Sequence, residues 1–168
     1  AEVLEQILTD YPEIEVVQIQ FNYVDYDDPA VQSRKCYEVC RRHGKPVLVM
    51  EPVKGGNLVN LPEEARKVLD ELHGGSPASY AIRFAAGFPG MMMVLSGMSS
   101  MEQMKDNLSY MKDFQPLNET ELEAVKGLTV PIVREDTSME ELENNPRVSR
   151  EEMFKFIFED LNTAETLL

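Results

Sequence analysis

Basic side chains are scarce in this 168-residue chain: 16 Lys and Arg stand against 30 Asp and Glu, a formal net charge of −14 with a pI near 4.5. This imbalance opposes nonspecific nucleic-acid binding, because a polyanion is repelled unless cations are concentrated in a patch. The nearest thing to a patch is Arg41, Arg42, His43 and Lys45, which reads as the end of a helix, where cations complement the dipole and stay solvated. Histidine and cysteine are rarer, at two each. A structural zinc site takes about four ligands, so His43, His73, Cys36 and Cys40 make a poor candidate and no metal is expected. Cys36 and Cys40 lie four apart on a segment that reads as helical. Their α-carbons would be about 6 Å apart with diverging side chains, which suits two buried thiols and not a disulfide. No apolar run approaches the roughly 20 residues that cross a bilayer, and Ala1–Tyr11 has no basic stretch leading into an apolar one. A cytoplasmic protein without membrane contact is the expectation.

What the chain does have is an alternation of two periodicities. Val3, Leu4, Ile7 and Leu8 make a helical apolar stripe that closes at Tyr11–Pro12, and Ile14 to Phe21 reads as a β-branched strand. A polar loop from Asp25 to Pro29 precedes a helix over Ala30–His43, with Val31, Cys36, Val39 and Cys40 facing inward. Pro46 to Met50 forms a second buried strand, followed by a Gly-containing loop to Asn60. A helix from Pro62 to Leu72 stops at His73–Gly74–Gly75, and Ser76–Pro77 opens another through Ala86. Met91 to Leu95 is a third strand, and the run of methionines there is expected to fill core. The order β-α-β-α-α-β-α predicts parallel strands joined by crossovers.

The most informative stretch is Leu95 to Asn107. It joins a strand to a helix through a small-residue loop, and Ser100 followed by Gln103 is a capping-box signature. Amides freed at such a helix start, at the positive end of its dipole, suit an anion, and Ser99, Gln103 and Asn107 would converge there. By itself this join is more often structural. Two further segments accompany it: Val16–Val17–Gln18–Ile19–Gln20–Phe21–Asn22, and Lys45 to Leu58 with its Met50–Glu51–Pro52–Val53–Lys54–Gly55–Gly56.

Taken together, the three segments resemble the aldo/keto reductase family. That family carries Q-x-(E/Q)-x-(H/N), (S/E)-P-L-x-x-G and G-x-S-x-x-E-Q-x-x-x-N on the last three strands of its (β/α)8 barrel, in this order. The resemblance covers residues 1–128, and is closest to the branch with M-E-P-x-K-G-G after the seventh strand, which often appends an iron–sulfur domain. Beyond Leu128 there is no Cys, so no cluster is expected. The fold it implies is the C-terminal half of a partial TIM-type barrel with parallel strands, and residues 129–168 read as an acidic, helical C-terminal extension. Three or four strands cannot close a ring, and a full barrel takes about 250 residues. A fragment, a half-barrel completed by a second copy or another chain, and a rearranged fold all remain open.

The activity implied by resemblance is NAD(P)H-dependent reduction of a small carbonyl substrate, with this chain supplying the cofactor-binding half. The family's catalytic Asp, Tyr, Lys and His fall in its front half, so no catalytic residue is assigned, and acid–base roles for Tyr23, Asp25 and Tyr26 are declined for want of a relay. Gln18 would bond the nicotinamide carboxamide, and Met50 stands where many members stack an aromatic ring. Glu51, Pro52, Val53 and Gly55 would line the pyrophosphate path, and Lys54 is either a phosphate partner or a solvated loop cation. Gly97 would allow close approach, Ser99 would bond a ribose or its 2′-phosphate, and Gln103 and Asn107 would hold adenine. Met98 and Met101 supply none of the cations often found near Ser99, which leaves NADP or NAD open. The competing reading is a noncatalytic, degenerate barrel fragment kept for association.

Overall fold

The computed structural model describes residues 1–128; the acidic extension expected over 129–168 lies outside them. Helix α1 (Glu2–Asp10) leads into β1 (Val17–Gln20), α2 (Ser33–Arg42), β2 (Val47–Met50), a one-turn 3₁₀ segment at Lys54–Gly56, α3 (Glu63–Leu72), α4 (Pro77–Ala86), β3 (Met91–Val94), α5 (Met101–Met111) and α6 (Glu119–Gly127). The three strands form one parallel sheet in the order β1-β2-β3, with Gln18 opposite Leu48 and Val49 opposite Val94. A register shift between Val47 and Leu48 sets β3 one residue out of step.

Several elements are shorter than their sequence patterns. The helix expected from Ala30 begins at Ser33, because the Asp28 carboxylate accepts the Ala30 and Val31 N–H groups in an Asx turn and Gln32 then turns left-handed at φ 58°. Of the apolar stripe on α1, Leu8 is buried, while Val3 is 73% exposed. Helix α3 ends through His73 at φ 54° rather than through a glycine. Gly74 serves a different need, since a Cβ there would come within 2.5 Å of Glu121 Oε1. Two capping boxes form in full, Ser100 with Gln103 on α5 and Asn118 with Glu121 on α6.

Among the described residues, only one face of the sheet is covered. Val47 and Val49 are fully buried and Ile19 nearly so, packed with Phe21, Tyr80, Ala81, Phe84, Leu69 and Val125 in one core. Helix α4 runs through its middle, with every residue from Ser79 to Ala85 buried. Phe21, Tyr26, Tyr37, Phe84 and Phe88 cluster ring against ring at centroid separations of 5.0 to 5.8 Å. On the other face Gln18, Met50 and Met92 are exposed, Met92 to 65%. The expectation that the methionines fill core is therefore corrected: Met50, Met92, Met93, Met98, Met101, Met104 and Met111 are all exposed. In a closed barrel the second face is filled by side chains from the other strands, and three strands leave it open.

Arg83 of α4 and Glu121 of α6 form a buried bidentate pair, Nη1 to Oε1 at 3.0 Å and Nη2 to Oε2 at 2.9 Å. The same guanidinium donates to the carbonyls of Gln115, Pro116 and Gly74, so it ties α6 and the α3–α4 turn to the central helix. Burial pushes the Glu121 carboxyl up, but Arg83 and the Asn118 N–H more than offset this and hold it below the usual carboxylate range. Removing one partner strands a buried charge, so Arg83→Met is expected to lower stability by about 3 kcal/mol in urea denaturation at pH 7, with Arg83→Met/Glu121→Met less affected. Because the folded-state value is depressed, this contribution holds above the unfolded carboxylate range and fades as pH falls through the folded value, shrinking the Arg83→Met deficit in acid.

Candidate functional site

Parallel strands bring their carboxyl ends to a common edge, and the segments that leave β2 and β3 there enclose a cleft of about 690 Å³ with the start of α4 and the first turns of α5. Glu51, Pro52, Val53 and Gly55 line it from one loop, Gly97 from the other, and Gln103 and Asn107 from α5. Ser76, Ala78 and Ile82 complete the lining at α4. Seven of the ten residues singled out from the sequence thus share one wall.

The other three lie apart from it. Gln18 and Met50 meet on the open face of the sheet, Nε2 to Sδ at 3.4 Å. Ser99 Oγ stands 3.3 Å from Gln103 Oε1. Gln103 is occupied by its own helix: its Oε1 accepts the Ser99 N–H at 2.7 Å and the Ser100 N–H at 3.3 Å. Asn107 donates to Ser96 Oγ and accepts from the Tyr110 hydroxyl. The Gly55 N–H, one of the backbone groups expected along a phosphate path, is taken by the Glu51 carboxylate at 2.7 Å. Around Gly97 there is room, since a Cβ built there meets nothing within 4 Å. Among the described residues no three His, Cys, Asp or Glu side chains gather as a metal ion requires, and no helix is long and apolar enough to cross a membrane.

Residues 1–129 match the family model described as the aldo/keto reductase family. The chain belongs to that family. No curated protein matches it significantly. Among solved structures it is similar to a thermostable aldo-keto reductase in complex with the inhibitor epalrestat, at 20% identity and a TM-score of 0.58 over 76% of this chain and 44% of that one. An apo aldo-keto reductase from Bacillus halodurans is 20% identical, with a TM-score of 0.55 over 74% of this chain and 47% of its own. An aldo-keto reductase from Klebsiella pneumoniae in complex with NADPH is 16% identical, with a TM-score of 0.56 over 74% and 44%. Identities this low speak for the fold, a partial (β/α)8 barrel. The chain spans less than half the length of each of these reductases.

The loop after β2 of this aldo/keto reductase chain has an unusual backbone. Glu51 and Lys54 hold φ of 54° and 48° without being glycine, next to Gly55 at 62° and Gly56 at 95°. Such conformations persist where surrounding contacts impose them. Here the contact is Asp25, buried at the end of the β1 segment, whose carboxylate takes Lys54 Nζ at 2.5 Å and Gln20 Nε2 and Asn22 Nδ2 at 2.7 Å. Asn22 also donates to the Glu51 carbonyl at 3.0 Å, and its Oδ1 accepts the Val24 and Asp25 N–H groups. Lys54 is thus paired internally with Asp25 while its side chain stays 37% exposed. Sequence reading passed over this cluster; its one local sign was Asn22 three residues before Asp25, an Asx-turn spacing.

Tyr23 is also accounted for. It is buried against Phe84 with no partner for its hydroxyl among the described residues, and burial pushes its phenol well above the usual range. For Asp25, burial acts to raise the carboxyl, but hydrogen bonds from Lys54, Asn22 and Gln20 prevail and hold it below the usual range. Asp25→Asn is expected to lower stability by about 2 kcal/mol at pH 7, the scale of charge-assisted hydrogen bonds. Since the folded value is depressed, the wild-type advantage is present above the unfolded carboxylate range and lost as pH falls through the folded value. Thermal melts at pH 7 and pH 3 check this: the gap between the two proteins narrows in acid.

Proposed function

We propose that this chain supplies the cofactor-binding half of a nicotinamide-dependent carbonyl reductase, with the groups that transfer the proton on a part of the barrel outside residues 1–128. The observation that carries the reading is the single cleft into which the ends of two strands and the start of α5 bring Glu51, Pro52, Val53, Gly55, Gly97, Gln103 and Asn107. Its position fits the rule that open parallel sheets bind ligands beyond the carboxyl ends of their strands.

The donor set suits a dinucleotide. Gln103 and Asn107 carry amides that both donate and accept, as an adenine edge requires, and Ser99 beside Gln103 offers a hydroxyl to a ribose. The N–H groups of Val53, Gly97 and Met98 have no partner among the described residues and are open to a diphosphate. Gln18 would bond the carboxamide of a nicotinamide, and Met50 would pack on its ring through a polarisable thioether. When bound, the reduced nicotinamide supplies the hydride. The chain's own part is to hold and orient it: Asp25 and Lys54 fix the loop that forms one wall, and the capping box fixes the start of α5. Strands from a second copy or another chain would cover the open sheet face and bring the proton donor and the carbonyl substrate.

A noncatalytic fragment kept for association is the second reading, and the exposure of Met92, Met93 and Leu108 favours it. Titration with NADH and NADPH by fluorescence separates the two. Saturable binding is expected, weakened about three- to tenfold by Asn107→Ala and by Gln103→Ala, the scale of one lost hydrogen bond. Absence of binding at millimolar cofactor favours the second reading. Gly97→Val provides a further check: open space around Gly97 predicts an unchanged unfolding midpoint with binding weakened about tenfold or more.

A further inference from the structure

Two side-chain amides line the cleft from α5, and they are held differently. Gln103 commits its Oε1 to the Ser99 and Ser100 N–H groups at the helix start. Asn107 is clamped from two sides: its Nδ2 donates to Ser96 Oγ at 3.1 Å, in the loop after β3, and its Oδ1 accepts from the Tyr110 hydroxyl one turn further along the helix. Each of those atoms keeps a second site, one N–H and one lone pair, so Asn107 remains able to donate and accept at once. Tyr110 stands outside the lining of the cleft. It reaches an occupant only through Asn107.

A side-chain amide is nearly symmetric in shape and turns over freely unless its neighbours tell oxygen from nitrogen. Ser96 by itself does not, because an aliphatic hydroxyl donates and accepts about equally well. Tyr110 does: a phenol is the stronger acid and its oxygen lone pair is drawn into the ring, so it donates well and accepts poorly. Burial and the Asp106 carboxylate push its phenol above the usual range, so the proton stays in place at neutral pH. The oxygen of Asn107 is thereby kept on the Tyr110 side and the nitrogen on the Ser96 side.

We propose that Tyr110 is a positioning residue: by fixing the Asn107 amide, it sets the order in which one donor and one acceptor face an occupant of the cleft. That order matters for a purine. Adenine offers an amino donor beside the N7 acceptor, the pair that an asparagine amide matches with two hydrogen bonds, whereas hypoxanthine offers two acceptors there. A fixed amide therefore favours adenine, since its Oδ1 would meet the hypoxanthine O6 oxygen, while a freed amide swings its NH2 toward both acceptors. The purine preference rests on the cofactor reading given above; the fixing of the amide does not.

Both parts are tested on the full chain and on Tyr110→Phe, which keeps the ring and removes the hydroxyl, each first shown to be folded by circular dichroism. NMR relaxation is expected to give the Asn107 side-chain amide an order parameter of about 0.8 in the unaltered chain and below about 0.6 in the variant. Calorimetric titration with NADH, NADPH and the hypoxanthine analogue of each is expected to show about a tenfold preference for adenine, falling to about twofold in Tyr110→Phe. Ser96→Ala, which leaves the Tyr110 hydroxyl in place, keeps most of that preference. If the amide of the unaltered chain is already below about 0.6, if Tyr110→Phe weakens adenine and hypoxanthine forms alike, or if Ser96→Ala abolishes the preference, the inference fails while the cofactor site stands. If the folded chain binds no dinucleotide, the cofactor reading fails and the purine preference with it, and the order parameters alone decide whether Tyr110 fixes the amide.

Discussion

The parallel pairing of Val17–Gln20, Val47–Met50 and Met91–Val94 is the constraint on which the other features depend, because it forces every strand to end at the same edge. Antiparallel pairing would send alternate loops to opposite ends and disperse the side chains that now share a cleft. Parallel pairing in turn requires the chain to cross back each time, and the crossovers α2 and α3–α4 cover the face that Val47, Val49 and Ile19 present. The site and the core are therefore two consequences of one topology.

Two buried charge pairs fasten this arrangement at points where apolar packing alone would not fix it. Arg83 and Glu121 lock the central helix to α6, and the carbonyls of Gly74, Gln115 and Pro116 use the remaining guanidinium donors. Asp25 and Lys54 lock the loop after β2 to the end of β1 and impose a left-handed backbone on residues that do not choose it unaided. Buried pairs of this kind contribute little net stability over apolar replacements, and their strength is that they tolerate few alternative geometries. At a cleft wall, a fixed geometry is what ligand recognition needs.

The open face of the sheet is the complement of the buried one. A side-chain period of two puts Gln18, Gln20, Leu48 and Met50 on the side that no described element covers. Methionines of β3 and α5 are exposed as well. A family member that spans less than half the length of its solved relatives would leave such a face, since a closed barrel fills it from the remaining strands.

Much of this was legible in the residues. The alternation of strand and helix, the Ser100–Gln103 capping box and the proline start of α4 follow from local propensity and spacing, which act over a few residues, and the three ordered motifs were readable by resemblance to the family. The start of α2 was misread because the side chain of Asp28 outcompeted helix initiation, a choice decided by one hydrogen-bonding group. Met91 packs against the core as expected, but Met92 and Met93 were misread because apolar character records what a side chain would gain by burial and not whether a partner is present to bury it.

Sequence by itself thus determined the order of elements and the residue types gathered at the strand ends. Only the tertiary structure decided that Lys54 faces Asp25 instead of a phosphate, that Tyr23 is sealed in the core, and that the charged residues lining the cleft are all carboxylates. These depend on contacts between segments far apart in sequence, such as Lys54 with Asp25 and Tyr23 with Phe84, and charge at a site is the sum over groups that no local pattern relates.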